Sequence, residues 1–183
     1  ALAAASMIHS VAPDKARSRE LYAESEELAR RIGDPAVLGE VLANAYWTVD
    51  TLDLMDERDR IADDLVALGG GGDPQAAFEG HRIKFSVHLM RAEAAAADRS
   101  QAVMEELLRR VPEPFNRCVV LYQRGTLEVL RSQMIRAAST IDECSTACID
   151  AGLPESRVLA VVGGLTFAMH HQQGRLAELA SFA

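Results

Sequence analysis

The sequence predicts an all-α protein, a right-handed α-α superhelix of antiparallel helix pairs with a repeat of about 40 residues. Three observations predict it. Ala, Leu, Arg and Glu dominate while aromatics are 5% of the 183 residues, a palette that favours helix over strand. Pro35, Pro74, Pro114 and Pro154 recur at intervals of 39, 40 and 40 residues, twice inside the tripeptide "GDP". Proline is tolerated in the first turn of a helix and a preceding aspartate can cap it, so each proline marks a helix start. Between the prolines lie two helical stretches each, joined by short turns around Ala92, Ser132 and Gly174.

The elements follow in order, as one repeat domain with units of roughly 1–32, 33–71, 72–111, 112–152 and 153–183. A helix over about Asp14–Ile32 places Leu21, Leu28 and Ile32 on one face, at spacings of seven and four. Residues 1–12 supply its partner. "PAVLGEVLANAYWTVD" then pairs with "ERDRIADDLVALG", "DPQAAFEGHRIKFSVHLMRA" with "AAADRSQAVMEELLRRV", and "EPFNRCVVLYQRGTLEVLRS" with "IRAASTIDECSTACIDAG". The final "RLAELASFA" reads as the beginning of one more helix. Both ends look cut from a larger array. Leu176, Leu179 and Phe182 then form an uncovered stripe, so self-association through the terminal helices is expected.

"QQGRLAELA" and "RAEAAAAD" resemble the turn of a tetratricopeptide repeat, where a glycine or small residue precedes the second helix. "RELYAESEELARRIGDPAVLGEVLANAYW" is similar to the tetratricopeptide-like region of large actinobacterial regulators. Those proteins carry a signal-transduction ATPase, often with a LuxR-type DNA-binding or a cyclase domain. The resemblance implies a regulatory segment, and the lack of a signal-peptide pattern at the start makes the expected location cytoplasmic. The resemblance carries over neither ATPase nor DNA-binding activity, because no motif for either occurs in these residues.

Composition narrows the function further. A formal net charge of −8 repels phosphate backbones and disfavours direct nucleic-acid binding. Three cysteines, Cys118, Cys144 and Cys148, are too few and odd in number for a disulfide framework, which suggests a reducing compartment. No apolar run reaches the length of a membrane span.

The run Gly69–Gly72 raises the possibility of a phosphate loop, but Asp73-Pro74 follows it in place of Gly-Lys-Ser/Thr. It therefore reads as a flexible loop between repeats. The acidic stretch Asp50–Asp64 lacks the ligand alternation and central glycine of a calcium loop, and reads as a hydrated helix face interspersed with Arg58 and Arg60. Cys144 and Cys148 share a helix face and read as small buried hydrophobes rather than metal ligands. His81 and His88 share a face without an assignable carboxylate, and adjacent His170 and His171 point about 100° apart. No catalytic, cofactor or metal residue emerges, and no enzyme activity is expected.

What remains is a surface. Mapping the tetratricopeptide pattern from the turns places Glu40, Trp47 and Asp50, then Glu79, Arg82 and Ser86, then Tyr122 and Thr126, then Ala168 and His171 toward a concave groove. Trp47 fits a place in the core as well as in the groove, and for Tyr122 the core is the favoured place. The expected role is a non-catalytic scaffold that binds a protein partner or other domains of its own chain. The alternative is a sensor that lodges a small-molecule effector in the groove.

Overall fold

The computed structural model describes residues 15–45 and 54–182, and all regular structure among them is helical. In chain order the α-helices are α1 Lys15–Ile32, α2 Pro35–Asn44, α3 Met55–Gly70, α4 Pro74–Met90, α5 Ala94–Leu107, α6 Pro114–Leu130, α7 Met134–Asp150 and α8 Glu155–Gln172. A 3₁₀ helix, Leu176–Phe182, follows them. The chain divides into two compact units, Ala1–Leu107 and Leu108–Ala183.

The prolines act as expected. Pro35, Pro74 and Pro114 are the first residues of α2, α4 and α6, and Pro154 is the N-cap of α8. Asp34 accepts a hydrogen bond from the Ala36 amide at 2.9 Å. Asp73 accepts from the Gln75 and Ala76 amides, both at 3.0 Å. Each aspartate satisfies donors that the first helical turn cannot.

The helix ends repeat a single device. After α4 the Glu93 amide donates to the His88 carbonyl and the Ala92 amide to Leu89. The same pair of bonds closes α6 at Gln133 and Ser132, α7 at Leu153 and Gly152, and α8 at Arg175 and Gly174. This Schellman geometry puts the residue after the cap in the left-handed region. Gly152 and Gly174 adopt it freely, at φ 72° and 70°, whereas Ala92 and Ser132 are forced to φ 58° and 57°.

In the first unit α4 packs between α3 and α5, and contacts α2 as well. The register of α3 and α4 is antiparallel. A side-chain carbon on Gly69 would meet Ala77, one on Gly80 would meet Ala62 and Val66, Asp59 pairs with Lys84, and Arg58 reaches Ser86. Alternate helices run parallel: Glu26 and Arg30 of α1 pair with Arg60 and Asp64 of α3, each 34 residues further along. The core contains Leu42, Ile61, Leu65, Ile83 and Val87, all essentially inaccessible.

Here two sequence readings need correction. Gly69 and Gly70 form the last turn of α3, and only Gly71 and Gly72 turn the chain. A Cβ on Gly69 would lie 2.4 Å from that of Ala77, so this glycine is a packing residue and not part of a flexible loop. Helix α1 buries Ser18, Leu21, Tyr22, Ser25 and Ala29, while Leu28 and Ile32 are 41% and 57% exposed. The buried face therefore runs through Leu21 and Tyr22 with Ser18, Ser25 and Ala29 above and below them, and leaves Leu28 and Ile32 outside it.

In the second unit α6 packs on α7 and on α8, and α7 also packs on α8. Gly125 of α6 sits where the three meet, with Leu165 Cδ1 3.2 Å and Thr140 Cγ2 3.5 Å from where a Cβ would be. Cys118, Leu121, Cys144, Ala147, Cys148 and Val158 form one apolar cluster. The thiols are free and buried, as the sequence suggests. The Cys118 thiol donates to the Pro114 carbonyl at 3.3 Å, and Cys144 donates to the Cys118 carbonyl at 3.6 Å. The terminal "RLAELASFA" closes as a 3₁₀ helix rather than an α-helix. Residues three apart eclipse in that geometry, which aligns the Leu176 and Leu179 positions. The Phe182 side chain lies outside the described residues.

Candidate interaction surface

The groove residues expected from the pattern fall into local groups. On α4, Arg82 Nε donates to Glu79 Oε2 at 2.6 Å, with both side chains about 15% exposed. Gln75 donates to the other Glu79 oxygen at 3.3 Å. Ser86, one turn beyond Arg82, accepts a 3.3 Å hydrogen bond from Arg58, whose own side chain is fully buried. Ser86 thus serves the α3–α4 contact. Glu40 is exposed on α2. Trp47 and Asp50 lie outside the described residues.

On α6, Tyr122 is 40% exposed, and Thr126, one turn on, donates to its carbonyl at 2.9 Å. The Tyr122 side chain is on the surface of its unit and not in its core. On α8, His171 is exposed and stacks on Phe167, with ring centroids 6.2 Å apart, while Ala168 is half-buried. The structure joins Glu79 to Arg82 and Tyr122 to Thr126, each pair within one helix.

The sequence reading missed a set of ion pairs. The described part of the acidic stretch, on α3, is solvent-exposed at Asp56, Asp63 and Arg60 as expected, but it is not only a hydrated face. Arg58 points inward, and its neighbours clasp the flanking helices. On one side Arg30 bridges Glu26 (2.7 Å) and Asp64 (2.5 Å), and Arg60 reaches the same two carboxylates at 3.2 Å. On the other, Lys84 bridges Asp59 (2.8 Å) and Asp63 (2.6 Å), and Arg91 joins Asp59 (2.6 Å) to Asp56 (2.9 Å). Burial alone would raise the Glu26 carboxyl, but hydrogen bonds led by that from Arg60 outweigh it and hold it below its ordinary value. Asp59 is held down in the same way, by Lys84 and Arg91 against the pull of burial. The i, i+4 spacing of Glu26–Arg30 and Arg60–Asp64 was the available signal, although it does not say that the two pairs interlock.

The histidines also find places. His88 Nδ1 lies 2.7 Å from Glu93 Oε2 across the turn, a partner the spacing had not suggested. Burial, then the nearby Lys84 and His88, pushes the pKa of His81 down. Among the described residues no group of three or more His, Cys, Asp or Glu side chains is arranged to hold a metal ion, and no helix is long and apolar enough to cross a membrane. The second unit has a surface cleft of about 330 Å³, lined by Pro112, Glu113 and Arg117 on one side and Ala147 and Asp150 on the other. No protein-family profile, curated protein or solved structure matches the chain.

Large apolar side chains left in solvent are the feature most suggestive of binding. In the second unit Phe115, Tyr122, Leu130, Ile135, Ile149, Leu159, Phe167 and Leu176 are exposed, Ile135 at 91%. In the first unit the described residues of this kind are Leu28, Ile32 and Met90.

Proposed function

We propose that the chain is a non-catalytic interaction scaffold, a stack of tetratricopeptide-like helix pairs in a right-handed superhelix, serving a multidomain, cytoplasmic, transcription-regulating protein of the actinobacterial type. The reading rests on one observation above the others: the second unit exposes large apolar side chains that a helix pair with no partner would gain by covering. The parallel register of α1 and α3, the antiparallel register of α3 and α4, and the recurring turn device at Ala92 and Ser132 support the stacked-pair architecture. The partner is a protein or another domain of the same chain, and acidic character keeps nucleic acid away. A small-molecule sensor is the second reading, favoured only by the cleft beside Glu113, Arg117 and Asp150.

A photo-crosslinking amino acid at Tyr122 separates the two, with the exposed Arg19 as the control position. The scaffold reading expects discrete protein adducts from Tyr122 in cells and none from Arg19. Absence of adducts at Tyr122, together with a small molecule retained in native mass spectra, would replace it with the sensor reading.

A further inference from the structure

Helix α8 presents a ridge in which, going outward from a central glycine in either direction, a large apolar residue is followed by a polar one. Every fourth residue gives Glu155, Leu159, Gly163, Phe167 and His171. Leu159 and Phe167 are 64% and 55% exposed, and Glu155 and His171 are also in solvent. Among the described residues, a Cβ placed on Gly163 or on the adjacent Gly164 would meet nothing within 4 Å. Elsewhere in this molecule glycine in a helix admits a neighbour: Gly69 and Gly80 let α3 and α4 come so close that a Cβ would clash. At Gly163 the same vacancy faces solvent, flanked by two large apolar side chains.

We propose that this ridge pairs with α8 of a second copy of the chain, antiparallel, about a two-fold axis through Gly163. A two-fold contact must be self-complementary. Reflection about Gly163 sets Leu159 against Phe167 and Glu155 against His171. With Gly163 on the axis the two ridges meet residue against residue, the missing side chains at Gly163 letting the helices approach, so Leu159, Gly163 and Phe167 form the centre and the polar Glu155 and His171 form the rim. At the rim the imidazole N–H donates to the carboxylate, and Phe167 already stacks on that imidazole. Antiparallel pairing also brings the acidic first turn, Glu155, to the last turn of its partner, which carries His170 and His171. Because the acidic and the imidazole ends of the ridge lie equally far from Gly163, a second copy satisfies both rims at once, and it is the occupant assigned here. This inference goes beyond the scaffold reading and does not depend on it.

Sedimentation equilibrium of the full chain tests it, with diamide cross-linking as a geometric check. The wild type dimerises. Leu159→Asp and Gly163→Leu each weaken the dimer at least about tenfold, which corresponds to about 1.4 kcal/mol, without loss of helical circular dichroism, because both sites face solvent. Leu179→Asp leaves it unchanged. Gly163→Cys gives a covalent dimer when diamide oxidises the two thiols to one disulfide, since a residue on the axis lies opposite itself. Ser156→Cys, off the axis, does not, and the buried native thiols keep the wild type monomeric on a denaturing gel. A monomeric wild type at every concentration, a dimer indifferent to Leu159→Asp and Gly163→Leu, a dimer lost with Leu179→Asp, or equal cross-linking at Ser156→Cys and Gly163→Cys would each overturn the assignment.

Discussion

The two units hold their helices together by different chemistry. In residues 1–107 branched aliphatics fill the core, and charged clasps on both sides of α3 tie it to α1 and α4. In residues 108–183 the helices α6, α7 and α8 meet around three thiols and small side chains, and large apolar groups remain outside. The first unit resembles a finished interior. The second spends apolar surface on solvent, which is tolerated only where something else can cover it or where stability is not limiting. Glycine marks which helix faces are closed: Gly69 and Gly80 are closed in by α4 and α3, and Gly125 by α7 and α8, while on α8 a Cβ at Gly163 or Gly164 would meet no described atom within 4 Å.

The strongest way to sharpen the comparison is to truncate each core. Ile61→Ala removes a fully buried branched chain and should cost about 2–5 kcal/mol, read by urea denaturation. Cys144→Ala, equally buried, removes a single sulfur and should cost about 1 kcal/mol, as for loss of one methylene-sized group. Equal costs would mean that the thiol cluster is packed as tightly as the aliphatic one.

Next in size is the response to pH. Glu26 and Asp59 have carboxyls held below their ordinary values, so the stability they lend is present above the unfolded carboxyl pKa and is lost as pH falls through the folded one. His81, with its pKa pushed down by burial, acts in the same direction and begins at a higher pH, losing stability as pH falls below the ordinary histidine value of 6.5. In the second unit burial raises the Cys118 and Cys144 thiols from 9.0 to about 12, so their contribution is complete below 9.0 and is lost as pH rises toward 12. Tyr22, whose hydroxyl burial raises, adds an alkaline loss in the first unit, starting from the ordinary tyrosine value of 10.0. Hydrogen exchange should find α3 and α4 opening first in acid and α6 and α7 opening first above pH 9.0. The reverse order would disconnect these groups from stability.

Much of this frame was legible in the sequence, for definite reasons. Proline and the capping aspartate act within one turn, so Pro35, Pro74 and Pro114 place helix starts directly. The turns at Ala92 and Ser132 were legible from spacing alone, although neither residue prefers the left-handed conformation it adopts. Contacts between helices were not legible. Leu28 looks like a core residue until Ser18, Ser25 and Ala29 prove to be the face that α1 buries. The glycine run looked like a loop because its sequence does not reveal that Ala77 stands opposite Gly69. The charged clasp needed the 34-residue offset between α1 and α3, which no local spacing encodes. Of the groove residues, Tyr122 is on the surface and Ser86 is engaged by Arg58.

Smaller effects test the clasp and the turns. A double-mutant cycle between Glu26 and Arg60 should give a coupling of about 0.5–1 kcal/mol that weakens in salt, because the Arg60 side chain is 47% exposed. No coupling at low salt would make the clasp a passive contact. Ala92→Gly and Ser132→Gly relieve the left-handed strain at φ 58° and 57°. Their gain is offset by the freedom glycine gives the unfolded chain, and should net about 0.5 kcal/mol in favour of the variant. A loss of stability at both sites would mean that their side chains make contacts worth more than the strain.

The most direct test of the central claim, that one unit is closed by its helix contacts and the other leaves a helix face open, is thermal denaturation of Gly80→Ala beside Gly163→Ala at a concentration where the chain is monomeric. A Cβ at Gly80 would lie 2.8 Å from Val66 Cγ2 and 2.9 Å from the Ala62 carbonyl oxygen, whereas one at Gly163 meets nothing within 4 Å among the described residues. The account predicts opposite signs: Gly80→Ala loses about 1–3 kcal/mol to overpacking, and Gly163→Ala gains about 0.5–1 kcal/mol from helix propensity. Shifts of the same sign in both variants would contradict it.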